Sequence, residues 1–379
     1  MRGGALTLIG LALTAVVSMA AVAAASPWEE VAHPNRRRCA QLAEEASKLA
    51  DSHQWKLATQ AARTAVALCP SDRAVLVAAG EALLAAHEFS EGRQRLERAH
   101  ALPDGTPAPR DRERSLAFLL GFAREVTGDL DGAIEEHRRL EAMGGLPAPN
   151  QYLVHYNLGD ELMAAGRLGE ALDEYRRAVA LAPPTKPVVR LALAVALDRN
   201  EQTDQARNEL AAVLAFDPDL RSLSADDYVF VPREDVYYYR ALALYERGAT
   251  AEARVNLRTF LAEVPSSPYL ARARERLAEA EERVDPRELE AVPPGLDRPA
   301  LARLLGPVVA SLESCLPAPR VVRVRLQLAN TRLRAEPQHP AAECLDRALS
   351  RIDAASLGQA RTGSFSLPLA GRRAAASPP

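Results

Sequence analysis

The sequence predicts a mainly α fold: an array of about six helical hairpins with a capping helix, followed by a small α+β domain. Three observations predict it. Hydrophobic residues make up 48% of the chain but aromatic residues only 5%, and alanine and leucine dominate, which suits closely packed helices better than a β-sandwich. Small residues recur at a nearly constant step between residues 38 and 284. Proline and glycine then cluster at 285–299, and an alternating apolar and polar pattern typical of a strand follows.

The first 25 residues have the organisation of a secretory signal peptide. Arg2 precedes an uncharged, largely apolar run from Ala5 to Ala25, which ends in small residues before Ser26. A short basic start, an apolar stretch and a small-residue end are the features of a cleaved export signal. We expect cleavage near Ala25 and a periplasmic or secreted mature chain. The alternative is an uncleaved inner-membrane anchor facing the periplasm, because the run is long enough to span a bilayer.

The clearest repeat unit lies at 152–183. The residues that define it are Leu158, Gly159, Leu162, Gly166, Ala171, Tyr175, Ala178 and Pro183. This pattern resembles the tetratricopeptide repeat (TPR) family, in which small residues let two antiparallel helices approach closely and the proline ends the second helix. The resemblance implies a superhelix of stacked hairpins that recruits a protein or peptide partner.

The same register predicts five more units. From Ala46 to Gly80 the step is 34 residues, the period of the family, and the later steps are 41, 38, 35 and 47 residues. The longer steps predict inserted loops, which lie at 103–109, 144–149 and about 219–232. Residues 269–284 predict a capping helix with a charged outer face, which repeat arrays need for solubility. We expect the array and its cap to occupy residues 26–284; a helical array of another repeat family is the alternative.

The four cysteines allow three pairings. Cys39 begins the first helix of the first unit and Cys69 ends the second, and about 13 residues of helix, roughly 20 Å, separate each from the turn. Antiparallel packing therefore brings these sulfurs together, and Cys315 pairs with Cys344. A closed loop of about 30 residues contributes roughly 3.5 kcal/mol. Four unpaired thiols are the alternative, and the spacing does not predict a metal site.

A second domain is predicted after a linker at 285–299. The residues that mark the linker are Pro286, Pro293, Pro294, Gly295 and Pro299. The predicted elements are a helix at 300–315, strands at 321–328 and 331–336, a helix at 340–352 and a strand at 364–369. This α-β-β-α-β order occupies residues 300–370, and we expect a disordered tail at 371–379.

This order resembles the small C-terminal domain of TonB-like energy transducers, and most closely the version in gliding-motility and envelope proteins of delta-proteobacteria. The resemblance rests on Ser314-Cys315, Arg323-Val324-Arg325-Leu326 and Glu343-Cys344-Leu345. The chain departs from the pattern at Asn330-Thr331, where the family has a turn glycine, and it lacks the aromatic-proline element after the second helix. The resemblance implies contact with a partner by strand addition at an exposed sheet edge.

No catalytic motif is found in the sequence. It has no G-x-S-x-G elbow, phosphate loop or G-x-G-x-x-G, and its seven histidines are dispersed. Glu135-Glu136-His137 is interpreted as a solvated helix face. We therefore expect no enzymatic activity, no cofactor and no metal, with an enzyme of unfamiliar type as an alternative. The formal charge of −3 without a block of like charge does not predict nucleic-acid binding.

The candidate site is the concave groove that the TPR resemblance implies along the first helix of each unit. The residues at its inward positions are Phe118, Phe122, Tyr156, Asp160, Leu191, Asp198, Tyr238, Leu242 and Tyr245. Tyrosine supplies contact area with a polar tip, which favours interfaces. The alternative is that these rings fill gaps between neighbouring helices. Because the groove charges lean acidic, we expect an apolar peptide partner with some basic character.

The predicted function is that of an exported, non-enzymatic scaffold for protein–protein interaction in the bacterial cell envelope. The alternative is a component of an envelope motility, transport or energy-transduction machine that acts mainly through the TonB-like domain. Membrane attachment is expected only through an uncleaved N-terminal segment. The sequence predicts neither the identity of the partner nor the oligomeric state.

Overall fold

The computed structural model describes residues 34–102, 110–146, 150–224, 230, 232–317, 320–329, 332–357 and 363–371. The predicted signal peptide and residues 372–379 of the predicted tail lie outside this part of the chain. The chain divides into two compact units, residues 1–196 with 224–231, and residues 197–223 with 232–379. The predicted domain boundaries stay a prediction.

Helical hairpins build the first unit. Its helices are α1 (Arg36–Asp51), α2 (Trp55–Leu68), α3 (Arg73–Ala85), α4 (Phe89–Ala101), α5 (Arg110–Val126), α6 (Leu130–Met143), α7 (Gln151–Ala164) and α8 (Leu168–Leu181). The next helix, α9 (Pro187–Arg199), begins in the first unit and ends in the second. Consecutive helices pack as pairs, α1 with α2 through α7 with α8.

Glycines on the first helix of three pairs, α3, α5 and α7, make the close approach that the small-residue pattern predicts. A Cβ atom at Gly80 would lie 2.7 Å from Leu96 Cγ, and one at Gly159 would lie 2.6 Å from Tyr175 Cδ1. Leu96 and Tyr175 belong to the second helices of these pairs and are fully buried. The glycine therefore makes the space that a large side chain of the partner helix fills.

The hairpin turns share one backbone conformation. The residue two positions before each second helix is left-handed, and these residues are His53, His87, Gly128, Gly166, Glu201 and Gly248. Glycine adopts this conformation without steric cost, whereas other residues are strained by it. The turns at Gly128, Gly166 and Gly248 are thus relaxed, and three turns tolerate a side chain.

The second unit joins further hairpin helices to a small sheet. Its helices are α10 (Thr203–Phe216), α11 (Val236–Arg247), α12 (Thr250–Glu263), α13 (Leu270–Glu281), α14 (Arg298–Leu305), α15 (Val309–Glu313) and α16 (Ala342–Leu349). Helices α11 and α12 pair, and α13 packs on α12. The predicted helix at 300–315 is interrupted at Gly306–Val308, because Pro307 lacks the N–H that a continuous helix needs.

The sheet has three antiparallel strands in the order β2-β1-β3. The strands are β1 (Val321–Ala329), β2 (Arg332–Ala335) and β3 (Gly363–Ala370). Leu326 pairs with Ala335 on one side and with Phe365 on the other. Alternate residues of β1 are buried against the helices, as the alternating pattern predicts. The predicted fold class, mainly α hairpins followed by a small region with three antiparallel strands, is therefore confirmed.

Both predicted cysteine pairs lie at disulfide distance. The Cα atoms of Cys39 and Cys69 are 6.1 Å apart, and those of Cys315 and Cys344 are 5.7 Å apart. The first pair joins the start of α1 to the end of α2, and the second joins the end of α15 to α16. All four cysteines are paired.

A buried ion pair connects α12 to the strand region. Arg254 Nε donates to Glu313 Oε1 over 2.8 Å, and Arg258 Nη2 donates to Glu313 Oε2 over 2.6 Å. The N–H of Ala370 in β3 donates to the same carboxylate. Within the predicted linker, Leu289 is buried in the apolar core of this region. The last hairpin and the sheet therefore share both ionic and apolar contacts.

Candidate functional site

Most of the predicted groove side chains are not exposed. Six are buried, namely Phe122, Tyr156, Leu191, Asp198, Tyr238 and Leu242. The three that are half-buried are Phe118, Asp160 and Tyr245. Packing between helices, the alternative from the sequence, describes the buried rings better. The groove as a binding surface stays a prediction, and only its half-buried members offer side-chain area to a partner.

Asp198 and Tyr238 belong to a buried network in the second unit. Asp198, 1% exposed, accepts hydrogen bonds from the Tyr238 hydroxyl and from Arg276 Nε, the latter over 2.7 Å. Arg276 Nη2 also donates to Asp198, and Arg272 Nη2 adds a fourth hydrogen bond at 3.2 Å. Burial and the neighbouring carboxylate raise the pKa of Tyr238 well above its usual value, so the phenol stays protonated and donates. The network stabilises the packing of α13 and leaves Asp198 no capacity for a partner.

Tyr245 lines a cleft in the second unit. The cleft has a volume of about 340 Å³, and the other residues that line it are Arg207, Glu246, Arg283 and Arg287. We call it the arginine cleft. Helices α10 and α11 supply Arg207, Tyr245 and Glu246, and the segment after α13 supplies the other two arginines. The site is therefore built where the last hairpin meets the end of the capping helix.

The arginines of the cleft are held by specific contacts. The Arg283 guanidinium lies 5.5 Å from the centre of the Tyr245 ring, a cation–π distance, and its Nη1 donates to the Tyr245 hydroxyl over 3.2 Å. Arg287 donates to both carboxylate oxygens of Asp285, over 2.8 and 2.7 Å. Arg207 Nε lies 3.8 Å from Glu246 Oε2.

The arginine cleft has more guanidinium groups than carboxylates in its lining. Three arginines and one carboxylate, that of Glu246, line it, and the carboxyl groups of Asp285 and Glu288 lie near Arg287 and reduce the positive charge of the cleft. The hydrogen bond from Arg287 lowers the pKa of Asp285, and the hydrogen bond to Tyr245 raises the pKa of Arg283. Both groups therefore remain ionised at neutral pH. Such a cleft supplies hydrogen-bond donors and positive charge to an anionic group.

A buried polar cluster in the first unit corrects one interpretation of the sequence. Glu135 is exposed, but Glu136 is only 4% exposed and His137 is fully buried, so the predicted solvated face is wrong for these two residues. Gly121 leaves the space that the His137 imidazole fills between the helices, since a Cβ at Gly121 would lie 2.7 Å from His137 Cε1.

The protonation of this cluster follows from its burial. His137 Nδ1 lies 2.6 Å from Glu161 Oε1, and neither side chain is exposed. Burial lowers the pKa of His137 to about 4 and raises that of Glu161 well above its usual range. The imidazole is therefore neutral, and a single proton joins Nδ1 to Glu161 Oε1. The cluster stabilises the packing of α6 on α7 and is closed to a ligand.

Family models of the tetratricopeptide repeat match two segments, residues 162–226 and 235–267. The chain contains tetratricopeptide repeats. No curated protein matches its sequence.

Several solved structures are similar to this chain. YrrB, described as a TPR protein with an unusual peptide-binding site, is 16% identical, with 57% of this chain and 99% of that chain covered and a TM-score of 0.35. A putative kinesin light chain of Podospora anserina with TPR-like repeats is 21% identical, with coverage of 50% and 98% and a TM-score of 0.43. MamA is 14% identical, with coverage of 48% and 92% and a TM-score of 0.39.

One group of side chains in the TPR region has a donor set that a metal ion can use. Ligand atoms of Glu141, His155 and Glu174 lie within 4.8 Å of one another. His155 Nδ1 lies 2.8 Å from Glu174 Oε2. Arg177 Nη1 already pairs with both carboxylates, at 3.5 Å from Glu141 and 3.2 Å from Glu174. Because a guanidinium neutralises the acids, the group is an ion-pair network between helices.

The edges of the sheet after the TPR units are largely occupied. On the β3 edge, Glu290 and Ser366 exchange two backbone hydrogen bonds, and Pro368 has no N–H to offer. On the other edge, β2 has four residues, and the N–H of Ala335 donates to Asp346 Oδ1 over 2.7 Å. A partner strand finds few backbone groups here, which does not favour strand addition.

Within the described residues, no helix is both long and apolar enough to cross a membrane.

Proposed function

We propose that the chain is an exported, non-enzymatic TPR scaffold that binds a protein or peptide partner in the bacterial cell envelope. The observation that carries this proposal is the repeated TPR hairpin itself, matched at 162–226 and 235–267. The TPR is a fold of protein–protein interaction, because stacked hairpins expose an extended surface that short peptides can follow. The half-buried groove positions Phe118, Asp160 and Tyr245 offer side chains to such a partner.

Export is supported by two independent features. The first 25 residues have the pattern of a signal peptide, and both cysteine pairs lie at disulfide distance. Disulfides persist in oxidising compartments such as the periplasm and are rare in the cytoplasm. We propose that the mature chain begins near Ser26 and acts outside the cytoplasm.

A fusion experiment tests export. Residues 1–35 are placed before a reporter enzyme that is active only after translocation, and mass spectrometry identifies the first residue of the product. We expect an active reporter and a product that begins near Ser26. A control with Leu11→Arg and Leu13→Arg interrupts the apolar run and is expected to abolish activity. An inactive reporter with the native segment contradicts export, and an active but unprocessed one supports the membrane anchor instead.

Site-specific crosslinking tests the scaffold function. A photo-reactive benzoylphenylalanine replaces Phe118, Asp160 or Tyr245 in living cells, one position at a time. Arg176 on α8 is exposed and lies outside the predicted groove, so it provides the matched control. We expect a discrete protein adduct from at least one groove position and none from Arg176. Equal adducts from Arg176, or none from any groove position, contradict a partner on the groove.

A further inference from the structure

We propose that the arginine cleft binds a carboxylate group of an acidic peptide. The inference rests on the proposed function and specifies the chemistry of the partner. It differs from the basic, apolar peptide that the groove charges predict, because Tyr245 is the one predicted groove residue in the lining of the cleft and the three arginines lie outside the predicted groove. Glu246, which faces the cleft, opposes an anion and must be outweighed by the three arginines.

Hydrogen-bond donors in the cleft exceed the acceptors. Arg283 uses Nη1 for the Tyr245 hydroxyl, and Arg287 uses Nε and Nη2 for Asp285. Among the described residues, no hydrogen bond involves Arg283 Nη2 or Arg287 Nη1, and the guanidinium of Arg207 makes only the 3.8 Å ion pair with Glu246. Guanidinium groups match the planar geometry of a carboxylate and bind it with paired N–H donors. The cleft therefore holds donors for a second carboxylate.

The cleft is organised before a ligand arrives. The Tyr245 ring fixes one face of Arg283, and Asp285, itself 4% exposed, fixes Arg287. Gly248 closes the floor, since a Cβ there would lie 2.6 Å from Arg287 Cζ. Side chains that are already ordered lose less conformational entropy on binding. Arg287 is nevertheless 66% exposed at its side chain, so a peptide can reach it from solvent.

Charge and size favour a carboxylate over a phosphate. A carboxylate carries one negative charge, so Glu246, Asp285 and Glu288 repel it less than they repel a phosphate monoester, which carries nearly two negative charges at neutral pH. A volume of about 340 Å³ lies at the lower end of the range for ligand sites. It therefore accommodates one acidic side chain, or a chain end, with its stem against the Tyr245 ring.

Fluorescence polarisation with the full mature chain tests the assignment. The probe is fluorescein-labelled hexaglutamate, and the competitors are unlabelled hexaglutamate, hexaglutamine and inorganic phosphate. We expect the probe to bind, unlabelled hexaglutamate to compete and hexaglutamine not to compete. Arg283→Gln is expected to weaken binding by about tenfold, the loss of one charge-assisted contact. Glu246→Gln is expected to strengthen it several-fold by removing the opposing charge, while the distant control Arg176→Gln leaves it unchanged. Thermal melts verify that each variant is folded.

Three outcomes overturn the proposal. If Arg176→Gln weakens binding as much as Arg283→Gln, the probe senses general surface charge and not the cleft. Competition by inorganic phosphate at a lower concentration than unlabelled hexaglutamate assigns the cleft to a phosphate group. Absence of hexaglutamate binding while Phe118 or Asp160 crosslinks a partner refutes the cleft but leaves the scaffold function intact, so the two failures are distinguishable.

Discussion

Replacing Glu313 tests whether the ionic contact between α12 and the strand region stabilises the fold. Glu313 and Arg254 are both 0% exposed. The carboxylate accepts three hydrogen bonds, from Arg254, Arg258 and the Ala370 N–H. Removing one partner of a buried ion pair costs about 3–5 kcal/mol, because the other charge is left buried without compensation.

The structure sets where in this range each variant falls. Arg254 Nη1 keeps the backbone carbonyl of Ala280 at 2.9 Å, and Arg258 keeps Glu281 at 2.7 Å. Glutamine retains one acceptor oxygen, so Glu313→Gln is expected to lower the free energy of unfolding by about 3 kcal/mol, and Glu313→Ala by about 5 kcal/mol. The double variant Arg254→Met with Glu313→Leu removes both charges and is expected to recover most of the loss.

Urea titration followed by circular dichroism, with the disulfides intact, measures these differences. The midpoint of the unfolding transition reports stability as long as the slope of the transition is unchanged. A loss below about 1 kcal/mol for Glu313→Ala, or a double variant no more stable than the single one, refutes the reasoning.

Three further predictions concern turns, pH and disulfides. Gly166→Ala is expected to lower the free energy of unfolding by about 1 kcal/mol, because the residue is left-handed at φ 75°. Gly169→Ala, in the first turn of α8, also places its Cβ in open space and is expected to raise the free energy of unfolding by about 0.5 kcal/mol. Melting temperatures that move in the same direction for both variants contradict this. Burial raises the pKa of Glu81 from 4.5 to about 7, so its contribution to stability is present below pH 4.5 and is lost as the pH rises to 7. Glu81→Gln is expected to remove this loss and to stabilise the chain by about 1–3 kcal/mol at pH 8. If the urea midpoints of the wild-type and Glu81→Gln chains change with pH in the same way, the prediction is wrong. Opening the Cys39–Cys69 loop with Cys39→Ser and Cys69→Ser is expected to lower stability by about 3 kcal/mol, and an unchanged urea midpoint disproves this.

Local sequence spacing predicts the hairpins because their packing is local. A glycine on one helix and a large side chain on the next, as with Gly159 and Tyr175, lie 16 positions apart in the sequence, within one repeat. The Cys39–Cys69 pair follows for the same reason, since α1 and α2, with 16 and 14 residues, return the chain to its starting end, and Cys315 with Cys344 is the pair that remains. Features that a single hairpin determines can thus be predicted from spacing alone.

The contacts of charged side chains cannot be predicted from spacing within a hairpin, because their partners are distant in sequence. Arg276 and Asp198 are 78 residues apart, and Arg254 and Glu313 are 59 apart. Helical periodicity places Arg276 on the charged face of α13 but does not show that another element covers that face. For the same reason helical periodicity predicts a solvated face for His137, although the absence of a side chain at Gly121 leaves room for the imidazole between the helices. The repeat spacing does not predict the arginine cleft, because two of its arginines follow the last repeat.

The end of the array explains where these charges lie. A repeat contacts only its neighbours, so apolar packing between repeats does not by itself limit how many hairpins can be stacked. At the last hairpin, α13 presents Arg272 and Arg276 to Asp198, and the strand region presents Glu313 to Arg254. Packing an apolar repeat face against a buried charge would leave that charge unpaired, which is unfavourable. The buried charges therefore favour α13 and the strand region over another repeat at this position. The segment that follows α13 lies outside the repeat pattern and carries Arg283 and Arg287. The end of the array is therefore also the place where the arginine cleft is formed.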